Sequence, residues 1–142
     1  MNTKYSYAAA AAGAVLLGSV VAAAPAHAGG AGDFTQSSGA CSMVSVWTMK
    51  AKPVARGIEM EFSVDSNRLG QAWAVRLTDN GTMLFSGNRT TNGISRSFSV
   101  DKILTDMAGT DRLVVRAANA KTGEVCRGHV ALAPAGGGGG KG

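Results

Sequence analysis

The chain has 142 residues, of which 14 are Lys or Arg and 9 are Asp or Glu, giving a formal net charge of +5. That excess is small and spread along the chain, with no interleaving of aromatic and basic residues to stack bases, so no nucleic-acid partner is expected. Two cysteines and His129, the one histidine beyond the N-terminal segment that holds His27, are too few for a four-ligand structural zinc site, and the sequence implies neither a metal nor another cofactor.

The first element is a targeting segment. Lys4 precedes an uncharged Ala/Val/Leu run from about Ala8 to Ala24, and Ala26-His27-Ala28 follows. A positive start, a short apolar run and small residues at the cleavage positions make residues 1–28 a secretory signal peptide. The run is about 17 residues, short for a bilayer of ~30 Å. No second apolar run follows, so the mature chain is expected to have no membrane partner. The expected location is secreted, either extracellular or cell-wall associated. Residues 29–40 are rich in Gly and Ser and residues 134–142 in Gly, and both ends are expected to be mobile. Between them, residues 41–133 form one small domain that gains from a covalent staple.

Within that domain, period-two alternation dominates. The first strand is "SMVSVWTMK", Ser42 to Lys50, and it turns at "AKPVARG", where Pro53 is tolerated. "GIEMEFSV" puts Ile58, Met60, Phe62 and Val64 on one face, with Glu59, Glu61 and Ser63 on the other. "QAWAVRLT" turns Trp73, Val75 and Leu77 inward, and Ala72, Ala74, Arg76 and Thr78 outward. Asn80-Gly81 then marks a hairpin into "TMLFSGNR", because both central residues of a type I′ turn need φ > 0. Thr91 to Gly93 turns the chain into "ISRSFSV", with Phe98 and Val100 inward and Ser95, Ser97 and Ser99 outward. In "DKILTDMAGTD" the alternation breaks: Ile103, Leu104 and Met107 have helical spacing, and Asp101 is placed to cap a single helical turn. "RLVVRAANA" resumes the pattern with Leu113, Val115 and Ala117 inward, and "KTG" leads into the last strand, "EVCRGHVAL".

Seven strands of this kind predict an all-β, antiparallel sandwich. The penultimate strand, with Ala-Gly-Thr-Asp before it and Ala-Asn-x-x-Thr-Gly after it, resembles the F strand and F–G turn of immunoglobulin-like and fibronectin type III-like domains. Trp73 stands where such domains keep a core Trp on strand C. The tyrosine expected near the start of strand F is replaced by Arg112 and Leu113, and the cysteines are not on strands B and F. The resemblance implies a seven-stranded immunoglobulin-like sandwich. The chain also resembles small exported single-domain proteins of high-GC Gram-positive bacteria.

"GEVCRGHV" holds a cysteine and a histidine three residues apart. On a strand those side chains project from opposite faces. Cys126 follows the inward set and His129 the outward set with Arg127, so they form neither a nucleophile and base nor a metal pair. An even cysteine count in an exported chain reads as one disulfide, Cys41–Cys126. Cys41 is expected to open the first strand and Cys126 to stand near the start of a parallel last strand.

No catalytic residues are expected. The chain lacks nucleophile-elbow, metalloprotease and phosphate-loop motifs, and no acid–base pair stands at a working spacing. Glu59 and Glu61 lie opposite Lys50 and Lys52, where cross-strand charge pairing accounts for them. Asp65-Ser66-Asn67 reads as a turn, and so do the glycosylation-like triplets at Asn80 and Asn88. The feature left over is a basic outer face. If the strands of Arg76, Arg116 and Arg127 share a sheet, these arginines and His129 gather on it, opposite a face with Glu59, Glu61 and serines. That face suits a cell-wall polymer or an extracellular protein. The expected function is a non-catalytic binding or adhesion module. The alternatives are a structural cell-envelope or spore-surface component, or a protease inhibitor using "DSNRLG" or "TNGIS".

Overall fold

The computed structural model describes residues 34–134. The expected signal peptide at 1–28, residues 29–33 and the tail beyond residue 134 lie outside the described residues. The fold is all-β, with two antiparallel four-stranded sheets packed face to face, an arrangement compatible with a β-sandwich.

Eight strands are present among the described residues, where the sequence pattern suggests seven. They are β1 (Thr35–Ala40), β2 (Val46–Val54), β3 (Gly57–Asp65), β4 (Ala72–Asp79), β5 (Thr82–Thr90), β6 (Ser97–Leu104), β7 (Asp111–Ala118) and β8 (Val125–Leu132). One sheet has the order β1-β2-β3-β6 and the other β5-β4-β7-β8. The added strand is β1, inside the Gly/Ser-rich segment expected to be mobile. Its residues carry no apolar period, so nothing in their side chains announces it. It forms by backbone pairing along β2, from Thr35↔Ala51 to Ala40↔Val46. Gly39 lets the backbone close on the Trp47 indole, since a Cβ there would lie 3.0 Å from the ring.

Three other expectations are corrected. β2 runs through Pro53 rather than turning there. β1 pairs β2 only as far as Ala51, so the missing Pro53 N–H leaves no β1 partner unsatisfied. The chain turns instead at Ala55-Arg56 into Gly57, whose φ of 139° and closeness to the Leu104 carbonyl leave no room for a side chain. The helical turn expected around Asp101–Met107 is absent. β3 offers pairing partners as far as Ile58↔Leu104, so the segment stays extended to Leu104 and turns Ile103 outward; tertiary pairing overrides the local spacing. Finally, "ISRSFSV" enters its strand only at Ser97. Gly93 and Arg96, with φ of 67° and 52°, close a turn bridged by Asn92↔Ser97.

The Asn80-Gly81 hairpin follows the expected geometry: φ is 47° at Asn80 and 84° at Gly81. The Asp65-Ser66-Asn67 turn forms as expected, with the Asn67 N–H donating to Asp65 Oδ1 at 3.0 Å. Asn80 sits in its turn, whereas Asn88 lies within β5.

The core joins both sheets. Met49, Ile58, Met60, Phe62 and Val64 meet Trp73, Val75, Leu77, Leu113 and Val115, all fully buried. Phe98 bridges the layers, its ring 6.4 Å from Phe62 and 6.0 Å from Trp73. The Trp47–Phe62 stack at 6.5 Å fills the space over Gly128, where a Cβ would come within 2.9 Å of Phe62.

Cys41 and Cys126 form the disulfide, with Cα atoms 4.3 Å apart and a sequence separation of 85. Closing so long a loop restricts the unfolded chain, worth roughly 4–5 kcal/mol by the chain-entropy argument. Cys41 does not open the first strand, however. It lies between β1 and β2, and β1 carries it alongside β8. Ser42 N–H donates to the Val125 carbonyl at 2.8 Å and Val125 N–H to Ser42 Oγ at 2.9 Å. The Ser37 hydroxyl donates to the His129 carbonyl. Partner numbers fall along β8 as they rise along β1, so β1 is antiparallel to β8, and β2, antiparallel to β1, runs parallel to β8.

Candidate functional site

Strands β4, β7 and β8 lie in one sheet, and the register aligns their arginines. Arg76 pairs with Arg116, and Arg116 pairs with Arg127. The three Cα atoms thus form a single row across the sheet, one inter-strand step of roughly 4.8 Å apart. Ser86 of β5 extends the row on the far side of Arg76. Arg112 adds a fourth guanidinium on the same face, two residues along β7 from Val114 and four from Arg116.

Among the described residues, no carboxylate answers these charges. The four strands of this sheet contain two acidic residues, Asp79 and Asp111, and both are buried. The ion pair found among the described residues is on the other sheet, where Lys52 Nζ lies 3.5 Å from Glu59 Oε2. There Lys50 also faces Glu61, and Lys52 faces Glu59, in the β2–β3 register. A directly opposed like-charge pair costs a sheet a few tenths of a kcal/mol up to about 1 kcal/mol. The arginine row is therefore a stability liability, whereas the opposite face neutralises part of its charge.

His129 shares the outward side with Arg127 but sits at the seam with the other sheet. Its ring centroid lies 6.2 Å from that of Trp47, and its carbonyl accepts from Ser37. It flanks the arginine row at the sheet edge. Cys126 is buried in the disulfide while His129 is exposed.

Three buried acids were not among the expected site residues. Glu124, just before β8, accepts from Ser45 N–H at 2.7 Å and from Ser45 Oγ at 3.0 Å. Asp79, at the end of β4, is fully buried and neither of its carboxylate oxygens has a hydrogen-bond partner. Asp111, at the start of β7, accepts from Met107 N–H at 3.1 Å. Burial pushes the Asp111 carboxyl above the ordinary aspartate range, and the neighbouring Asp79 carboxyl pushes it the same way. The exposed Asp106 carboxyl beside it is raised by desolvation, then by the Asp111 charge. The sequence did carry a signal for all three: each continues the inward series of its strand one step beyond the last apolar or cysteine residue.

No group of three or more His, Cys, Asp or Glu side chains among the described residues is arranged to hold a metal ion. A cleft of about 590 Å³ opens between the β3–β4 connection and the β7–β8 turn, lined by Arg68–Ala72 and Asn119–Thr122. It brings together no acid–base pair.

Compared with protein-family models, with curated proteins and with solved structures, the chain matches none.

Proposed function

We propose that the protein is an exported, non-catalytic binding module of immunoglobulin-like or fibronectin type III-like build. It holds an anionic cell-envelope polymer across the outer face of the β5-β4-β7-β8 sheet. The observation that carries this reading is the in-register row Arg76–Arg116–Arg127 on a sheet with no exposed acid. Guanidinium forks suit phosphate and carboxylate groups, and a row of them suits a ligand whose charges repeat along a line. Strand order supports the domain reading. Leaving β1 aside, β2-β3-β6 opposes β5-β4-β7-β8, which corresponds to strands A-B-E opposite C′-C-F-G. Export is supported by the signal pattern at 1–28 and by the disulfide.

Titration with a soluble poly(glycerol phosphate) tests the function. Binding should weaken steeply with added salt, log affinity falling against log salt with a slope of roughly two to three as counterions are released. Replacing Arg76, Arg116 and Arg127 together by alanine should abolish it while the fold, read by circular dichroism and disulfide content, survives. Unchanged binding by that variant removes the reading.

A further inference from the structure

The end of the fold that carries the disulfide also carries an unusual set of loop tips. Four connections meet there: 41–45, 66–71, 91–96 and 119–124. Connecting segments are normally polar at the surface, yet Met43, Val44, Leu69 and Ile94 are all exposed at this end. Ile94 is 103 % exposed and Val44 73 %. Ile94 occupies the Gly93–Arg96 turn, where neither turn geometry nor packing calls for an apolar residue.

These tips are held in place. Gly70 N–H donates to the Thr91 carbonyl and Thr91 N–H to the Gln71 carbonyl, both at 2.9 Å. The Thr91 hydroxyl donates to the Arg68 carbonyl, and Arg96 Nη1 to the Asn67 carbonyl at 3.2 Å. The disulfide and the Ser45–Glu124 bonds anchor the 41–45 segment. Val44 also shares a surface depression with Ser66–Arg68, which joins the 41–45 and 66–71 tips.

Charge at this end is mostly of one sign. Arg68, Arg96 and Lys121 stand among the apolar tips, against one exposed acid, Asp65. Glu124 is buried on Ser45.

We infer that this end docks on an anionic lipid surface, with Met43, Val44, Leu69 and Ile94 entering the interface and Arg68, Arg96 and Lys121 meeting the headgroups. The shape selects lipid over protein. Separate protruding aliphatic tips would each need a matched pit in a protein partner, whereas a fluid interface closes round them without shape matching. Exposed apolar groups rimmed by cations are the general requirement for interfacial binding to anionic lipid. No helix of the described residues is long and apolar enough to cross a membrane, so the contact is peripheral. It revises the expectation of no membrane partner, and it uses a different surface from the arginine row.

The test places a tryptophan at the tip. Ile94→Trp, and for comparison Ile103→Trp on the outer face of the other sheet, are made in the full chain. Each is mixed with vesicles of phosphatidylglycerol and phosphatidylcholine, with and without brominated acyl chains. Trp47 and Trp73 are buried and give a constant background. Expected are a blue shift and bromine quenching for Ile94→Trp, neither for Ile103→Trp, and little response with phosphatidylcholine alone. Adding Leu69→Ser to Ile94→Trp should weaken partitioning about tenfold, and adding Arg68→Ala about fivefold. Quenching of both reporters alike, or of neither, overturns the inference. So does a response that disappears with Arg76, Arg116 and Arg127 but survives Leu69→Ser and Arg68→Ala, which would assign the attraction to the sheet face.

Discussion

The two ends of the fold each bury carboxylates, and they treat them in opposite ways. At the disulfide end, Glu124 receives two hydrogen bonds from Ser45 and so ties the start of β2 to the approach to β8. At the other end, Asp79 is equally buried, has no donor on either oxygen, and lies beside a second buried acid, Asp111. A buried charge that is hydrogen-bonded fastens a structure, whereas one facing a like group burdens it unless a proton is shared. Burial alone therefore says little about whether an acid stabilises the fold.

Three substitutions test the contrast. The largest effect is expected for Glu124→Ala. It strands the buried Ser45 N–H and hydroxyl and should cost about 2–3 kcal/mol, read by chemical denaturation with the disulfide intact. A change below about 0.5 kcal/mol would show that the Ser45 bonds do not clamp this end.

Next is Asp79→Asn, which should stabilise. The new amide donates to the Asp111 carboxylate and should add about 1 kcal/mol near neutral pH. The pH dependence carries the sign. Asp111 is raised in the folded state, so the native protein holds a proton that the unfolded chain has lost. Between the ordinary aspartate pKa and the raised one, stability falls as pH rises; below that window the penalty is absent. Asp79→Asn should flatten this fall, with its gain shrinking as the pH drops towards the ordinary aspartate range. Denaturation midpoints measured across mildly acidic to neutral pH give the answer, and a gain independent of pH would sink the shared-proton account. The smallest effect is expected for Asp106→Asn. Its side chain is exposed at the rim of the same cluster, so stability at neutral pH should move by less than about 0.5 kcal/mol.

The sequence makes some of this legible and leaves the rest hidden for definite reasons. Alternation identified inward residues in five of the seven expected strands because a half-buried strand must alternate. It hid β1, whose pairing is made by backbone alone along β2 and whose residues are small and polar. Local spacing misread Ile103, Leu104 and Met107, because the length of β3, not the segment itself, decides how far β6 extends. The outward parity of Arg76, Arg116 and Arg127 could be read directly. Their alignment in one row could not, since it depends on long-range register between β4 and β7 and on the length of the β7–β8 turn. The buried acids were written in the same alternation. Asp79, Asp111 and Glu124 fall on inward positions, one step beyond the last apolar or cysteine residue of each strand.

The disulfide has a consequence for how the chain is made. Ribosomes deliver β1 and Cys41 first, and β8 with Cys126 only 85 positions later. A chain truncated anywhere before β8 retains a single unpaired thiol, whatever else it has folded. The bond thus certifies that synthesis has passed β8, and thiol-reactive quality control can separate molecules that hold all eight strands from shorter fragments by this one chemical difference.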